Sequence, residues 1–221
     1  MSDPTRLTVA VLGGTGPQGR GLARRWAAAG VPVVIGSRSA ERAEQTAALL
    51  AEATRGRITG ATNADAAAGA DLVVVAVPWD GHAALLTELA PVLEGKVVVD
   101  CVNPLGFDAQ GAYALPVVEG SAAQQAAGIL TGSTVVAAFH HLSAALLEDP
   151  AIERFDTDVL VLGEDRAATD LVQDLAAAIP GVRGVYGGRL RNAHQVEALT
   201  ANLISVNRRY KAHAGVRVTD I

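Results

Sequence analysis

Three glycines near the start of the chain, Gly14, Gly16 and Gly19, stand at the spacing G-x-G-x-x-G. At that spacing two glycines let the backbone turn tightly and approach a phosphate, and the third lets a helix pack close to the strand before it. The run Leu7-Thr8-Val9-Ala10-Val11 reads as that strand, and Gly19, Leu22, Ala23, Trp26 and Ala27 fall on one helical face after the turn. The expectation is a dinucleotide whose phosphates lie where free N–H groups and the positive end of the helix converge. The alternative is a merely glycine-rich turn.

The end of the second strand selects among dinucleotides. A coenzyme with a free ribose 2′-OH is held there by an acidic residue. Here the segment is Gly36-Ser37-Arg38, with Arg42 one helical turn on. A hydroxyl and two guanidiniums suit a 2′-phosphate, which arginine grips with a planar fork. The expectation is NADP(H) over NAD(H); as ordinary helix-start charges, Arg38 and Arg42 would carry no such preference.

Ligands of open α/β sheets bind outside the carboxyl ends of the strands. Three more segments end there: Val77-Pro78-Trp79-Asp80-Gly81-His82, Cys101-Val102-Asn103-Pro104 and His140-His141-Leu142-Ser143-Ala144. Pro78 and Trp79 offer apolar surface to a flat ring, unless Trp79 packs on its own helix. Asn103 can hydrogen-bond on the nicotinamide side, although Asn-Pro is also a turn signal. Of five scattered histidines only His140 and His141 fall at a strand end. Strand alternation lets at most one of them face a ligand, so His140 is a general acid/base candidate or a structural histidine.

No H-E-x-x-H, no G-x-S-x-G and no Tyr-x-x-x-Lys pair is present, and no metal site is expected. A missing proton relay fits a partner that accepts hydride on a ring carbon, because two stacked, aligned rings need little help from a base.

The elements that must position these residues alternate throughout. Strands are expected at 32–36, 57–62, 71–77, 96–100, 134–139, 158–162 and 182–186, with helices over about 40–53, 81–93 and 121–130, another along Ala168 to Ile179, and a long one from Asn192. Asn103 to Gly120 reads as a long loop, and Ser121-Ala122-Ala123-Gln124 as a capping box. The fold class is α/β: a doubly wound, mostly parallel Rossmann-type sheet with extra C-terminal strands and a long C-terminal helix.

Half of the 221 residues are apolar, enough for a core, and the net charge is −5 without a basic block. That balance argues against nucleic acid or an anionic membrane surface as partner. The N-terminus does not fit a signal peptide, and the most apolar stretch, 72–79, is far short of the roughly 20 residues of a membrane span. One cysteine, Cys101, excludes an internal disulfide. A cytoplasmic protein is the expectation.

The chain resembles the NADPH-dependent F420 reductases, also called F420H2:NADP oxidoreductases. The resemblance rests on Val11 to Gly19, Gly36-Ser37-Arg38 with Arg42, Val77-Pro78-Trp79, Ser121-Ala122-Ala123, Ala138-Phe139-His140 and the helix from Asn192 to Thr200. It implies one NADP-binding domain over 1–221, reversible hydride transfer between nicotinamide C4 and C5 of the deazaflavin F420, and a homodimer. Implied NADP contacts are Thr15, Gly16, Pro17, Gln18, Ser37, Arg38, Arg42, Val77, Gly81, Asn103 and Ala144; Pro78, Trp79 and His140 shape the ring pocket. Archaeal members have Thr-Ile-Pro at His141-Leu142-Ser143 and Ser-Pro-Leu-Val at Asp100-Cys101-Val102-Asn103. The anionic F420 tail meets Arg189, Arg191, Arg208, Arg209 and Lys211, unless these are a solvated basic helix end. Rival readings are an NADP-dependent reductase of a carbonyl, imine or metal, and a non-catalytic NADP sensor.

Overall fold

Runs of consecutive apolar residues require cover on both faces, and a parallel sheet between helices supplies it. In a computed structural model, which describes residues 3–221, the chain runs β1 (Val9–Leu12), α1 (Pro17–Ala28), β2 (Val33–Ser37), α2 (Ala40–Thr54), β3 (Ile58–Thr62), α3 (Asn63–Gly69), β4 (Leu72–Val75), α4 (His82–Leu93) and β5 (Val97–Asp100). It continues through β6 (Leu105–Asp108), β7 (Gly111–Ala114), α5 (Ala122–Ile129), β8 (Thr134–Ala137), α6 (Ala144–Glu148), β9 (Thr157–Gly163), α7 (Arg166–Ala177), β10 (Val182–Gly188) and α8 (Ala193–Tyr210). Met1 and Ser2, part of the stretch read for a signal peptide, lie outside the described residues.

One sheet holds eight strands in the order β10-β9-β8-β5-β4-β1-β2-β3. From β3 to β8 every pair is parallel, which reproduces the doubly wound order of the dinucleotide folds. Strand order reverses between β1 and β4, so a crevice opens beyond their carboxyl ends. Alternate residues feed two cores: Val9 and Val11 join Trp26 on one face, while Ala10 and Leu12 join Leu86 and Leu89 on the other. Ser39, Ser121 and Asp165 cap α2, α5 and α7 by accepting a backbone N–H three residues on, each cap contributing about 1 kcal/mol.

Three features depart from the sequence expectation. The stretch 103–120 is not a loop throughout: β6 and β7 form an antiparallel hairpin pairing Leu105 with Ala114. Its turn closes because Asp108 Oδ1 accepts the N–H groups of Gln110 and Gly111. The short helices α3 and α6 appear in stretches assigned to no element. Lastly, β9 runs antiparallel to β8, and β10 is parallel to β9, so the added strands oppose the other six. α8 lies against α5 and the hairpin.

Candidate functional site

The glycine turn bridges β1 and α1. Gly14 donates its N–H to the carbonyls of Val11 and Gly36, and Gly16 donates to Gly13. A Cβ on Gly19 would come within 2.7 Å of Gly14 Cα, so only glycine allows the helix to start this close. Gly16 caps α1 without a side-chain partner and Pro17 follows at its first position, leaving the first-turn N–H groups facing outward.

That turn floors a groove of about 570 Å³. Its walls bring together Thr15, Gly16, Ser37, Arg38, Arg42, Val77, Pro78 and Gly81, with Gly13, Asn63 and Asp80 among the others. The Arg38 and Arg42 residues are exposed, and neither guanidinium has a protein partner among the described residues. Asn63, at the first position of α3, accepts the Gly13 N–H through Oδ1 at 3.3 Å. The alanine-rich sequence around it carries no binding signal, and only the fold puts it there.

A second, smaller cavity of about 250 Å³ lies on the His140 side, lined by Gln18, Asn103, His140, His141, Ala144, Thr200, Leu203, Ile204, Asn207 and Ala214 among others. Phe139 sets its shape. Its φ of +65° is a left-handed conformation that costs a non-glycine residue about 1–2 kcal/mol. The fully buried ring is held edge-on to Trp26 at 5.4 Å, and the Phe139 carbonyl accepts from Gln18 Nε2. This turn breaks the strand alternation, so both histidines line the cavity, contrary to the expectation that at most one would face a ligand.

Several polar atoms of this cavity are buried and without partners among the described residues. Asn103 Nδ2 and Thr200 Oγ1 both donate to the His140 carbonyl, at 2.8 and 3.1 Å. Among the described residues, Asn103 Oδ1 and both ring nitrogens of His140 have no hydrogen-bond partner. Burial lowers the His140 pKa to about 4 against a smaller pull from Asp100, so the ring is neutral at pH 7 and presents one donor and one acceptor. His141 spends Nε2 on the Asp158 carbonyl at 2.8 Å, and burial also lowers its pKa.

Pro17 lines neither opening. Trp79 lies off both as well, its ring 5.4 Å from and tilted 32° to that of His82. Cys101 is inert: its thiol donates to the Val75 carbonyl, and burial raises its pKa. Arg189 pairs with Glu164 at 3.0 Å, while Arg208 and Arg209 join Phe107 and Asp108 around an opening of about 590 Å³ between the hairpin and α8. Among the described residues no cluster of three potential metal ligands occurs, and no helix is long and apolar enough to cross a membrane.

Sequence reasoning missed a buried polar network beside these cavities. His82 and Asp100 are fully buried, with Nε2 of one 2.6 Å from Oδ2 of the other. Burial disfavours a charged His82 ring, but the hydrogen bond and charge of Asp100 together outweigh it, and the pKa is raised. Glu197 of α8 accepts the N–H groups of Ala122 and Ala123 at the start of α5, and burial still pushes its pKa up to about 7. The signal for the first pair was Asp100 closing an otherwise apolar strand: a carboxylate there must find a partner.

Comparison with known proteins bears on this architecture. The family model described as NADP oxidoreductase, coenzyme F420-dependent, matches residues 8–104, from β1 to just past β5. The F420-dependent NADP reductase of Methanothermobacter thermautotrophicus is 40% identical over 97% of this chain and 96% of its own length. The chain belongs to the F420-dependent NADP oxidoreductase family. Its fellow member from Methanothermobacter marburgensis is 39% identical over 97% of this chain and 99% of its own. A crystal structure of an Arthrobacter sp. FB24 protein, assigned as an F420-dependent NADP-reductase, superposes with a TM-score of 0.80 at 29% identity, covering 97% of this chain and all of that one.

Proposed function

We propose that the protein transfers hydride reversibly between NADP(H), held in the groove, and the deazaflavin F420, held in the adjoining cavity. One observation carries this reading: among the described residues, a groove edged by two unpaired guanidiniums and a cavity with Asn103 Oδ1 and the His140 ring nitrogens buried without partners meet the same helix start, Gly16 lining one and Gln18 the other. Buried polar atoms without partners cost about 1–3 kcal/mol each, which a ligand with complementary donors and acceptors recovers.

The groove residues bind and orient. The start of α1, whose first-turn N–H groups have no side-chain cap, offers donors to a pyrophosphate, with Thr15 and Gly16 lining the approach. Ser37, Arg38 and Arg42 face the 2′-phosphate, and Val77, Pro78 and Gly81 flank the path toward the ring. Gln18, Asn103 and Ala144 belong to the ring side, where His140 supplies one donor and one acceptor without gaining charge. The bound coenzymes supply the chemistry, hydride passing between ring carbons; the protein sets distance and excludes water. Family membership supports the choice of partner. The reading treats residues 1–221 as one NADP-binding domain acting in the cytoplasm as a homodimer, which light scattering on the purified protein tests.

The deciding assay follows F420 absorbance after NADPH and protein are added. Bleaching with stoichiometric NADPH oxidation is expected. No bleaching, together with turnover of a simple imine or carbonyl, would assign the chain to another reductase class; tight NADPH binding with no turnover of any acceptor would make it a sensor.

A further inference from the structure

The two cavities are built on separate segments that meet at one buried contact. Pro78, Asp80 and Gly81 line the coenzyme groove, and His82 follows directly as the first residue of α4. Asn103 lines the ring cavity, three residues beyond Asp100 at the end of β5. The contact is the 2.6 Å bond between His82 Nε2 and Asp100 Oδ2, both side chains fully buried.

Hydrogen-bond directions around that contact are determined from outside inward. Glu119 carries a carboxylate, which only accepts, so Gln125 turns Nε2 toward it, 3.3 Å from each oxygen. Gln125 Oε1 therefore faces His82 Nδ1 at 3.0 Å and requires an N–H there. The other ring nitrogen shares its proton with Asp100 Oδ2. Asp100 Oδ1 in turn accepts the Val102 N–H at 3.0 Å, bending the chain just before Asn103. Cys101, between them, is pinned by its N–H and thiol to the Val75 carbonyl at the end of β4. The Asn103 amide then reaches the His140 carbonyl. Apart from the proton shared between His82 and Asp100, every link from Glu119 to His140 has one direction only, so the Asn103 amide inherits its aim from His82.

Net stability is a poor reason for such a pair, because a buried ion pair exchanged for apolar side chains of similar volume is often neutral or better. Fixed direction is what it supplies. We propose that His82 and Asp100 are positioning residues for hydride transfer, locking the turn Pro78–Gly81 of the coenzyme groove to the strand end that aims Asn103 into the ring cavity; this rests on the function proposed above. Neither side chain lines the groove or the cavity. The pair sets where one ring stands relative to the other, and a displacement near 1 Å costs on the order of a hundredfold in rate.

The test uses the full-length protein with NADPH and F420. His82→Gln and Asp100→Asn are each expected to lower kcat at least about tenfold, to leave NADPH affinity within about threefold, and to raise the isotope effect with NADPH deuterated at C4. The double variant restores a neutral pair, since the asparagine amide donates to the glutamine carbonyl and still accepts from Val102, and regains most of kcat. Unchanged kcat in both single variants overturns the proposal. So does a loss confined to NADPH affinity, or a double variant that regains thermal stability without regaining rate. If neither single variant folds, Gln125→Leu, which removes only the outer partner, carries the test: about a threefold loss with a raised isotope effect is expected, and no change in either overturns it. Wild-type protein that binds NADPH but never bleaches F420 would instead overturn the function reading, before any variant is made, and the positioning role with it.

Discussion

The groove and the cavity, which Gly16 and Gln18 line at the start of α1, are built on opposite principles. Thr15, Ser37, Arg38 and Arg42 come from two consecutive strand–helix turns, and the two guanidiniums stand exposed with nothing to hold. The cavity draws Gln18, Asn103, His140, Thr200 and Asn207 from four places spread over nearly the whole chain, and Asn103 Oδ1 and both His140 ring nitrogens are buried in it. Charge in water is cheap to keep and screened when used; a polar atom without a partner in the interior is costly until a ligand arrives. On the proposed function, the groove would select by attraction and the cavity by the cost of leaving it unfilled.

The largest effect expected from this contrast is in the groove. Arg38→Ala combined with Arg42→Ala removes two charge-assisted contacts of about 1.5–3 kcal/mol each, so NADPH affinity falls by about a hundredfold or more. NADH affinity stays within about twofold. Titration of coenzyme fluorescence measures both, and equal losses for the two coenzymes would break the comparison.

In the cavity the same logic predicts opposite signs for stability and activity. His140→Leu removes two partnerless nitrogens and is expected to hold or raise thermal stability while cutting kcat/KM for F420 about tenfold. pH separates this from simple repacking. The folded pKa of His140, about 4, lies below its unfolded value near 6.5, so the unfolded chain takes up a proton that the native ring refuses. Stability is then full above about pH 6.5 and falls as pH drops toward about 4, by up to about 3 kcal/mol from this group. Denaturant titrations across that window should show the slope in the wild type and lose it in His140→Leu. Over the same range His140 contributes no ionisation above pH 5 to the kcat profile.

Smaller effects are expected where the cavity wall is anchored. Asp158 is fully buried, takes two hydrogen bonds from Arg183, one from Arg217 and the Val218 N–H, and its carbonyl holds His141. The Arg183 hydrogen bond, with the other contacts, lowers its pKa to about 2, so its contribution is present above about pH 4 and is lost as pH falls toward 2. Asp158→Asn should cost about 2 kcal/mol at neutral pH by calorimetry, because both guanidiniums are half in water, and it should flatten that acid limb. Smallest is Glu148→Gln, which breaks a half-exposed pair with Arg20 and should cost less than about 1 kcal/mol.

What was legible in the sequence follows the same division. Strands buried on both faces announce themselves by runs such as Leu72–Val75, and the groove by glycine spacing and Ser37-Arg38, because their causes are local. Hidden were features decided by partners far along the chain. The reversed direction of β9 leaves no mark, since a strand buried on both faces reads alike either way. The hairpin was masked by Gly106 and Gly111, which read as loop punctuation, and by aromatics left exposed, Phe107 and Tyr113. His82 and Asp100 stand 18 positions apart, and neither has local spacing that speaks for the other.

Arg25 gives the two sites a mechanical relation. Its guanidinium donates to the carbonyls of Leu146, Leu147, Asp149 and Ile152 and lies 4.9 Å from the Phe155 ring centroid. One helical turn earlier, a Cβ on Gly21 would meet Leu147 Cβ at 2.5 Å, so α1 and α6 touch with no slack. The helix that follows the glycine turn and the segment that follows His140 thus pack as one unit. Hydrogen exchange is then expected to be slow along this contact and faster in the hairpin, where Phe107 and Tyr113 stand exposed.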